Sequence, residues 1–176
     1  YDSESPHSIV DESLRPLQTG AEDNMTLREL VRDYDRSGSY LPAWFSPTVD
    51  VWHSEIERAT LPFGKDPRII AMFVTIESYG DPRVVSRSGA VGLGQHMPGT
   101  WEDERKMIKA DSLYSRYAQA LGINLDTVQR ENPLANLFFT NYYLHNLFPN
   151  GSIPKDPVKL KAYKDAVKIA GWKYHD

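Results

Sequence analysis

One carboxylate closes an apolar run. Ile69, Ile70, Met72, Phe73, Val74 and Ile76 lead into Glu77, and Gly80, Asp81 and Pro82 follow at once as turn signals. So few polar positions predict a buried helix. Pro67 suits its first turn and Asp66 its N-cap. Glu77 then stands at the C-terminal end, where the partial negative charge of the helix disfavours a second one. Burial acts in the same direction, and each unit of pKa shift corresponds to about 1.4 kcal/mol. A carboxyl kept neutral near pH 7 can donate a proton, which is the chemistry of a general acid.

The stretch after Glu77 must position that acid. Ser86 to Thr100 is rich in glycine and reads neither as a regular helix nor as an alternating strand. Gly89, Gly92 and Gly94 allow close approach of backbone to a ligand. They lack the strand–helix context and the lysine of a phosphate loop, which argues against a nucleotide site.

Further elements read as helices. Pro133 to Phe148 is a second buried helix, through Leu134, Leu137, Phe138, Tyr142, Leu144 and Leu147, with Tyr143 presenting a polar tip among them. Thr100 to Leu121 is expected to be one helix with Leu113, Tyr114, Tyr117 and Leu121 on its apolar face, Gly122 as its stop and a new start at Asp126. Ser46-Pro47 begins another, carrying Val51, Trp52, Ile56 and Ala59, with His53 read as a surface histidine. Thr26 to Tyr34 forms a short helix with a Thr26–Glu29 capping box. Tyr40, Leu41, Trp44 and Phe45 form an aromatic cluster that either anchors a linker on the core or offers a sugar-stacking surface. A last helix after Asp156-Pro157 sets Leu160, Tyr163, Val167 and Ala170 on one face. Its lysines read as a solvated face rather than a nucleic-acid contact.

The 176 residues suffice for one lysozyme-sized core plus an appendage. No cysteine is present, which excludes disulfides and thiol chemistry. No apolar run approaches the roughly 20 residues of a membrane span. Residues 1–66 carry a net charge of −7 and residues 67–176 one of +3. The acidic segment 1–45 therefore reads as an arm or docking extension that a protein partner could hold. The remainder, 46–176, reads as the catalytic domain, and its mildly positive part, 67–176, suits an anionic polymer.

Glu77-Ser78, Ser86, Gly89-Ala90, Gly92-Leu93, Gln95, Met97-Pro98 and Thr100 resemble the signature of the lytic transglycosylases of the goose-type lysozyme-like superfamily, without a gap from the Glu onward. Asn132-Pro133, Asn136-Leu137 and Tyr143-Leu144 resemble its second block. The resemblance covers roughly Pro47 to Phe148. It implies a mainly α, lysozyme-like domain with an N-terminal extension. It also implies Glu77 as the catalytic acid, Ser86 and Tyr143 close to it, and Gln95 orienting an N-acetyl or hydroxyl group. Met97 would pack the cleft wall, with Ser78, Gly89 and Asn136 in support. The departures are Gly94 where the family has Met, His96 for an apolar residue, and Thr140 for a Gly. A late Ala-Tyr-Asn-Ala-Gly motif is missing, with Ala162 to Ala166 a faint echo, so that the chain either stops short of the motif or has lost it.

The resemblance further implies peptidoglycan glycan strands as substrate, an extracytoplasmic or phage-virion setting, and no metal, nucleotide or redox cofactor. Two rivals share the scaffold: a lysozyme-type hydrolase, and a structural or binding subunit without turnover. Two-carboxylate glycosidase chemistry would call on Asp81, four residues beyond Glu77 but past the helix end.

Overall fold

The computed structural model describes residues 26–147 and Pro157. The expected helix after Pro157 and the acidic residues 1–25 lie outside the described residues. Within them the chain is mainly α, with two short 3-10 turns and no strand longer than an isolated bridge.

Local signals set the helix starts. Helix α1 (Leu27–Arg32) carries the expected reciprocal cap, in which the Thr26 hydroxyl accepts from the Glu29 amide and the Glu29 carboxylate from the Thr26 amide. The helix expected from Ser46 forms in two pieces, α2 (Pro47–Asp50) and α3 (His53–Thr60), with a turn at Val51-Trp52. Asp66 caps α4 (Pro67–Glu77) by accepting from the Arg68 amide at 2.8 Å. That helix is not buried all round. Ile70, Ala71 and Val74 face the core, while Ile76 is exposed.

The single helix expected over 100–121 is likewise two, α5 (Pro98–Ala110) and α6 (Ser112–Ala120). Asp111 breaks them apart, because its carboxylate accepts from the Leu113 and Tyr114 amides and starts α6 afresh. The buried residue of α6 is Ala118, whereas Leu113 and Tyr117 of the expected apolar face are exposed. No helix starts at Asp126; that stretch is a run of turns.

Helix α7 (Pro133–Leu147) is the axis of the fold. It is buried from Ala135 through Tyr142 and packs against α3, α4 and α5. A helix with so little polar face belongs inside a bundle. Leu27, Leu41 and Phe45 join Trp52, Ile56, Val74, Trp101, Phe138 and Phe139 in one continuous core. The segment preceding α2 thus packs on the same body. Asp50, fully buried, bonds the Ser39 hydroxyl and pairs with Arg36 at 3.1 Å, and the Tyr34 hydroxyl donates to the Asp50 carbonyl. His53 is half-buried, with its Nδ1 2.9 Å from the Tyr34 hydroxyl, which corrects its reading as a surface histidine.

Candidate active site

Glu77 is the last residue of α4 and is half-buried. The helix stops on the next residue. The Ser78 side chain, fully buried, donates to the Val74 carbonyl and accepts from the Gly80 amide. Tyr79 takes the left-handed conformation at φ +54°, and its amide donates to the Val74 carbonyl. Gly80 follows at φ +92°, where a Cβ would overlap the Thr48 backbone carbonyl. Its own carbonyl accepts from the Trp52 indole at 2.8 Å. The turn that ends the Glu77 helix is therefore fixed to α2 and α3 by backbone contact, which only glycine permits.

Residues 84–96 fold into an irregular hairpin with bridges Val85–Val91 and Val91–His96. Ser86 and Ala90 clasp its tip. The Ser86 amide donates to the Ala90 carbonyl at 2.9 Å, and the Ala90 amide to the Ser86 hydroxyl at 3.1 Å. Gly89 sits at the turn between them with φ +93°.

Gln95 is fully buried, and its side-chain amide donates to the Val84 and Gly92 carbonyls, both at 3.0 Å. The amide nitrogen thus holds the loop together, while Oε1 has no hydrogen-bond partner among the described residues. Met97 is half-buried at the entry to α5.

The second block supports the loop from beneath. Asn136 on α7 is buried, accepts from the Gly94 amide at 2.7 Å, and donates to the Val91 and Arg130 carbonyls. Asn136 thus supplies three hydrogen bonds across more than forty residues of sequence in two of the three cases. Arg130 adds a clamp by donating to the Gly89 and His96 carbonyls at 2.8 and 3.0 Å. Nothing in the sequence marked Arg130 for this role.

The three departures from the family pattern meet at one point. A Cβ on Gly94 would overlap the Thr140 hydroxyl. That hydroxyl lies 2.9 Å from Nε2 of His96, and His96 is 3.1 Å from the Asn136 carbonyl. Burial pushes the His96 imidazole down to about 3, so it is neutral at ordinary pH. Gly94, His96 and Thr140 form one packing solution under the loop.

The hairpin, the α4 terminus and α7 lie within a single sequence family. The family model for the Transglycosylase SLT domain matches residues 54–163, more than half of the chain. The chain belongs to the transglycosylase SLT domain family. Its helical body is accordingly of the lysozyme-like class. Over 64 residues the SLT chain is 45% identical to the endo-type membrane-bound lytic murein transglycosylase A of Klebsiella pneumoniae, covering 34% of this chain and 31% of that one. Over 49 residues it is 45% identical to the transglycosylase of Enterobacteria phage PRD1, covering 28% of this chain and 18% of the phage protein. The matched stretches span less than a third of the length of these curated relatives.

Tyr143 lies on α7, half-buried, with its phenol pushed up by burial and by the nearby Glu104 carboxyl. Glu104 itself escaped the sequence reading. It sits on α5, 4% exposed, with no hydrogen-bond partner for either oxygen among the described residues, and burial raises it to about 8. Its only sequence signal is a Glu three residues after Trp101 on the face of α5 that includes Ile108. Asp81 is buried and accepts from the Arg83 amide at 2.9 Å, a turn-forming role. Among the described residues no cluster of His, Cys, Asp and Glu has the makings of a metal site. No described helix is long and apolar enough to cross a membrane.

Proposed function

We propose that this SLT domain cleaves peptidoglycan as a lytic transglycosylase, with Glu77 as its single acid and base. The observation that carries the reading is Glu77 at the closing turn of α4, directly ahead of a hairpin braced by Asn136 and Arg130. All of it falls inside the family match. Two relatives named as murein or phage transglycosylases support the substrate and the reaction class.

In the proposed reaction Glu77 donates its proton to the glycosidic oxygen between N-acetylmuramic acid and N-acetylglucosamine, and the C1–O bond breaks. The substrate's N-acetyl group assists at C1. Glu77, now a carboxylate, takes the proton from the muramoyl C6 hydroxyl while that oxygen bonds to C1. A 1,6-anhydro ring results and no water is consumed. Ser86 and Tyr143 position the carboxyl or the sugar in this scheme, and Met97 lines the groove. Extracytoplasmic or virion-associated action follows from the substrate.

The test is digestion of purified peptidoglycan with mass analysis of the products. Anhydromuramoyl ends are expected from the wild type, and E77Q should lose roughly a hundred- to ten-thousandfold in rate while folding normally. Reducing ends would assign the hydrolase chemistry of a lysozyme instead. Unchanged turnover by E77Q would refute the role of Glu77.

A further inference from the structure

Two cavities adjoin between the end of α5, α6 and the run of turns that precedes α7. One, of about 450 Å³, runs from Lys109 on α5 past Ser115 and Gln119 of α6 to Asp126. The other, of about 330 Å³, runs from Thr127 to Asn132. Both are lined by Gly122, Ile123 and Asn124, so they form one groove. Ile123, buried, gives it an apolar floor. Gly122 leaves it open, since a Cβ there would meet nothing within 4 Å. Volumes of this size suit a small ligand or a short segment of a larger one.

The walls are set by the chain itself. Arg105, buried, donates to the Leu125 and Val128 carbonyls. The Asn124 side-chain oxygen accepts from the Asp126 amide, and the Gln129 side chain donates to the Thr127 carbonyl, both at 3.0 Å. The Asn132 side-chain oxygen accepts from the Ala135 amide. Each of these amides spends one end on the backbone and keeps the other. The NH₂ groups of Asn124 and Asn132, Oε1 of Gln129 and the whole Gln119 amide make no hydrogen bond among the described residues. Neutral groups that both donate and accept match the amides of another molecule.

The charges decide between amide-bearing ligands. Lys109 and Asp126 pair at one end of the groove, with side chains 49% and 70% exposed. So exposed a pair contributes little to stability, and its two charges are free to turn to a ligand. A neutral N-acetylated sugar has no use for them. A peptide that carries both an amine and a carboxylate uses both.

We propose that this groove holds the peptide stems of peptidoglycan, with the Lys109 ammonium against a stem carboxylate and the Asp126 carboxylate against a stem amine. The proposal rests on the functional reading above for the source of the peptide and adds a separate site to it. Gln129 and Asn132 flank Arg130, whose guanidinium holds the hairpin that follows Glu77, so groove and hairpin share one braced segment.

Stem tetrapeptide freed by an amidase, and glycan strands stripped of peptide, are titrated separately into the ¹⁵N-labelled E77Q chain. The side-chain amide resonances of Gln119, Asn124 and Asn132 are followed. The peptide should shift all three and the stripped strands none. Q119A and K109M should each weaken the peptide about fivefold, the scale of one lost polar contact. Their thermal unfolding should match the parent, since both side chains stand in water. Absence of any shift with the peptide overturns the site, and so does peptide binding that both variants leave intact. Shifts with stripped strands alone overturn the assignment to peptide. Wild-type chain that cleaves no peptidoglycan, while E77Q still binds the tetrapeptide, would sink the functional reading and leave the groove standing.

Discussion

Two regions of this domain invert the usual distribution of side chains. At and just after the end of α4, apolar residues stand in water: Ile76, Tyr79 and Val85. Around α7 polar ones are buried: His96, Glu104, Asn136 and Thr140 at the seam where α5 and the hairpin meet it, and Asn141 on the side of α3. The first arrangement leaves surface to be covered by something else. The second is costly unless each polar group finds a partner, and most do. Asn141 donates to the Thr60 hydroxyl and the Leu137 carbonyl, and Thr140 to the Asn136 carbonyl. On the proposed function, the contrast separates the substrate-facing end of α4 from the packing that holds it still. Substitutions at the α4 end should alter binding with little change in stability, whereas those at the seam and at the clamped turn should do the reverse.

The turn after Glu77 should show the largest stability effect, because its backbone is locked against α2. Ala at position 80 would drive a methyl into the Thr48 carbonyl, a backbone atom that no rotamer change can move, at a φ of +92°. Overpacking of about 1–3 kcal/mol, together with a left-handed cost of roughly 1–2 kcal/mol, predicts a loss of about 3 kcal/mol or more for G80A. Against a typical domain stability of about 5–15 kcal/mol that is a large share, and urea unfolding would read it directly. A G80A variant as stable as wild type would show that α2 is not locked to the α4 terminus.

Gly94 sharpens the seam. Its conflict is with a side chain, the Thr140 hydroxyl, so the cost should depend on Thr140. G94A should destabilise by about 2 kcal/mol on its own and by clearly less in a T140A background, a coupling of about 1 kcal/mol. The remaining cost reflects Asn136 Oδ1 and His96 Nε2, at 3.1 and 3.2 Å from the added carbon. Strict additivity would mean that the three departures from the family pattern are independent.

What the sequence made legible was local. Thr26 with Glu29, and Asp66 before Pro67, announce helix starts because a cap needs only its own next residues. The apolar stretch of α7 announces burial for the same reason. The break at Asp111 was hidden because apolar periodicity runs on through it, although an Asp before Ser112 is itself a cap signal. The absent helix at Asp126 has a distant cause: Arg105 on α5 takes the carbonyls of Leu125 and Val128 and holds that stretch as turns. Within the site, the position of Glu77 at a helix end was readable. The inward amide of Gln95 and the clamp of Arg130 were not, since their partners are carbonyls chosen by the folded chain.

Glu104 offers the finest probe of the seam. Tyr142 and Tyr143 of α7 face it, and both phenols are pushed up, chiefly by burial, with Glu104 a lesser contributor. Asp111 and Tyr114, from the start of α6, reach the same neighbourhood through Tyr142. His96, against Trp101, is neutral. No cation among the described residues pairs with Glu104. Its folded pKa of about 8 lies above the ordinary 4.5. The folded state therefore holds the proton where the unfolded chain has released it, and the contribution of Glu104 to stability falls as pH rises from 4.5 to 8 and is level above. His96 works in the opposite sense. Its folded pKa of about 3 lies below the ordinary 6.5, so stability is lost as pH falls across that interval. E104Q, a permanent neutral analogue, should leave stability at pH 5 within about 1 kcal/mol of wild type, as expected for a nearly isosteric change. It should then become progressively the more stable of the two as pH climbs to 8. Melting curves of both proteins across pH 5 to 9 test this, and parallel curves would place the Glu104 carboxyl in contact with water rather than in the seam.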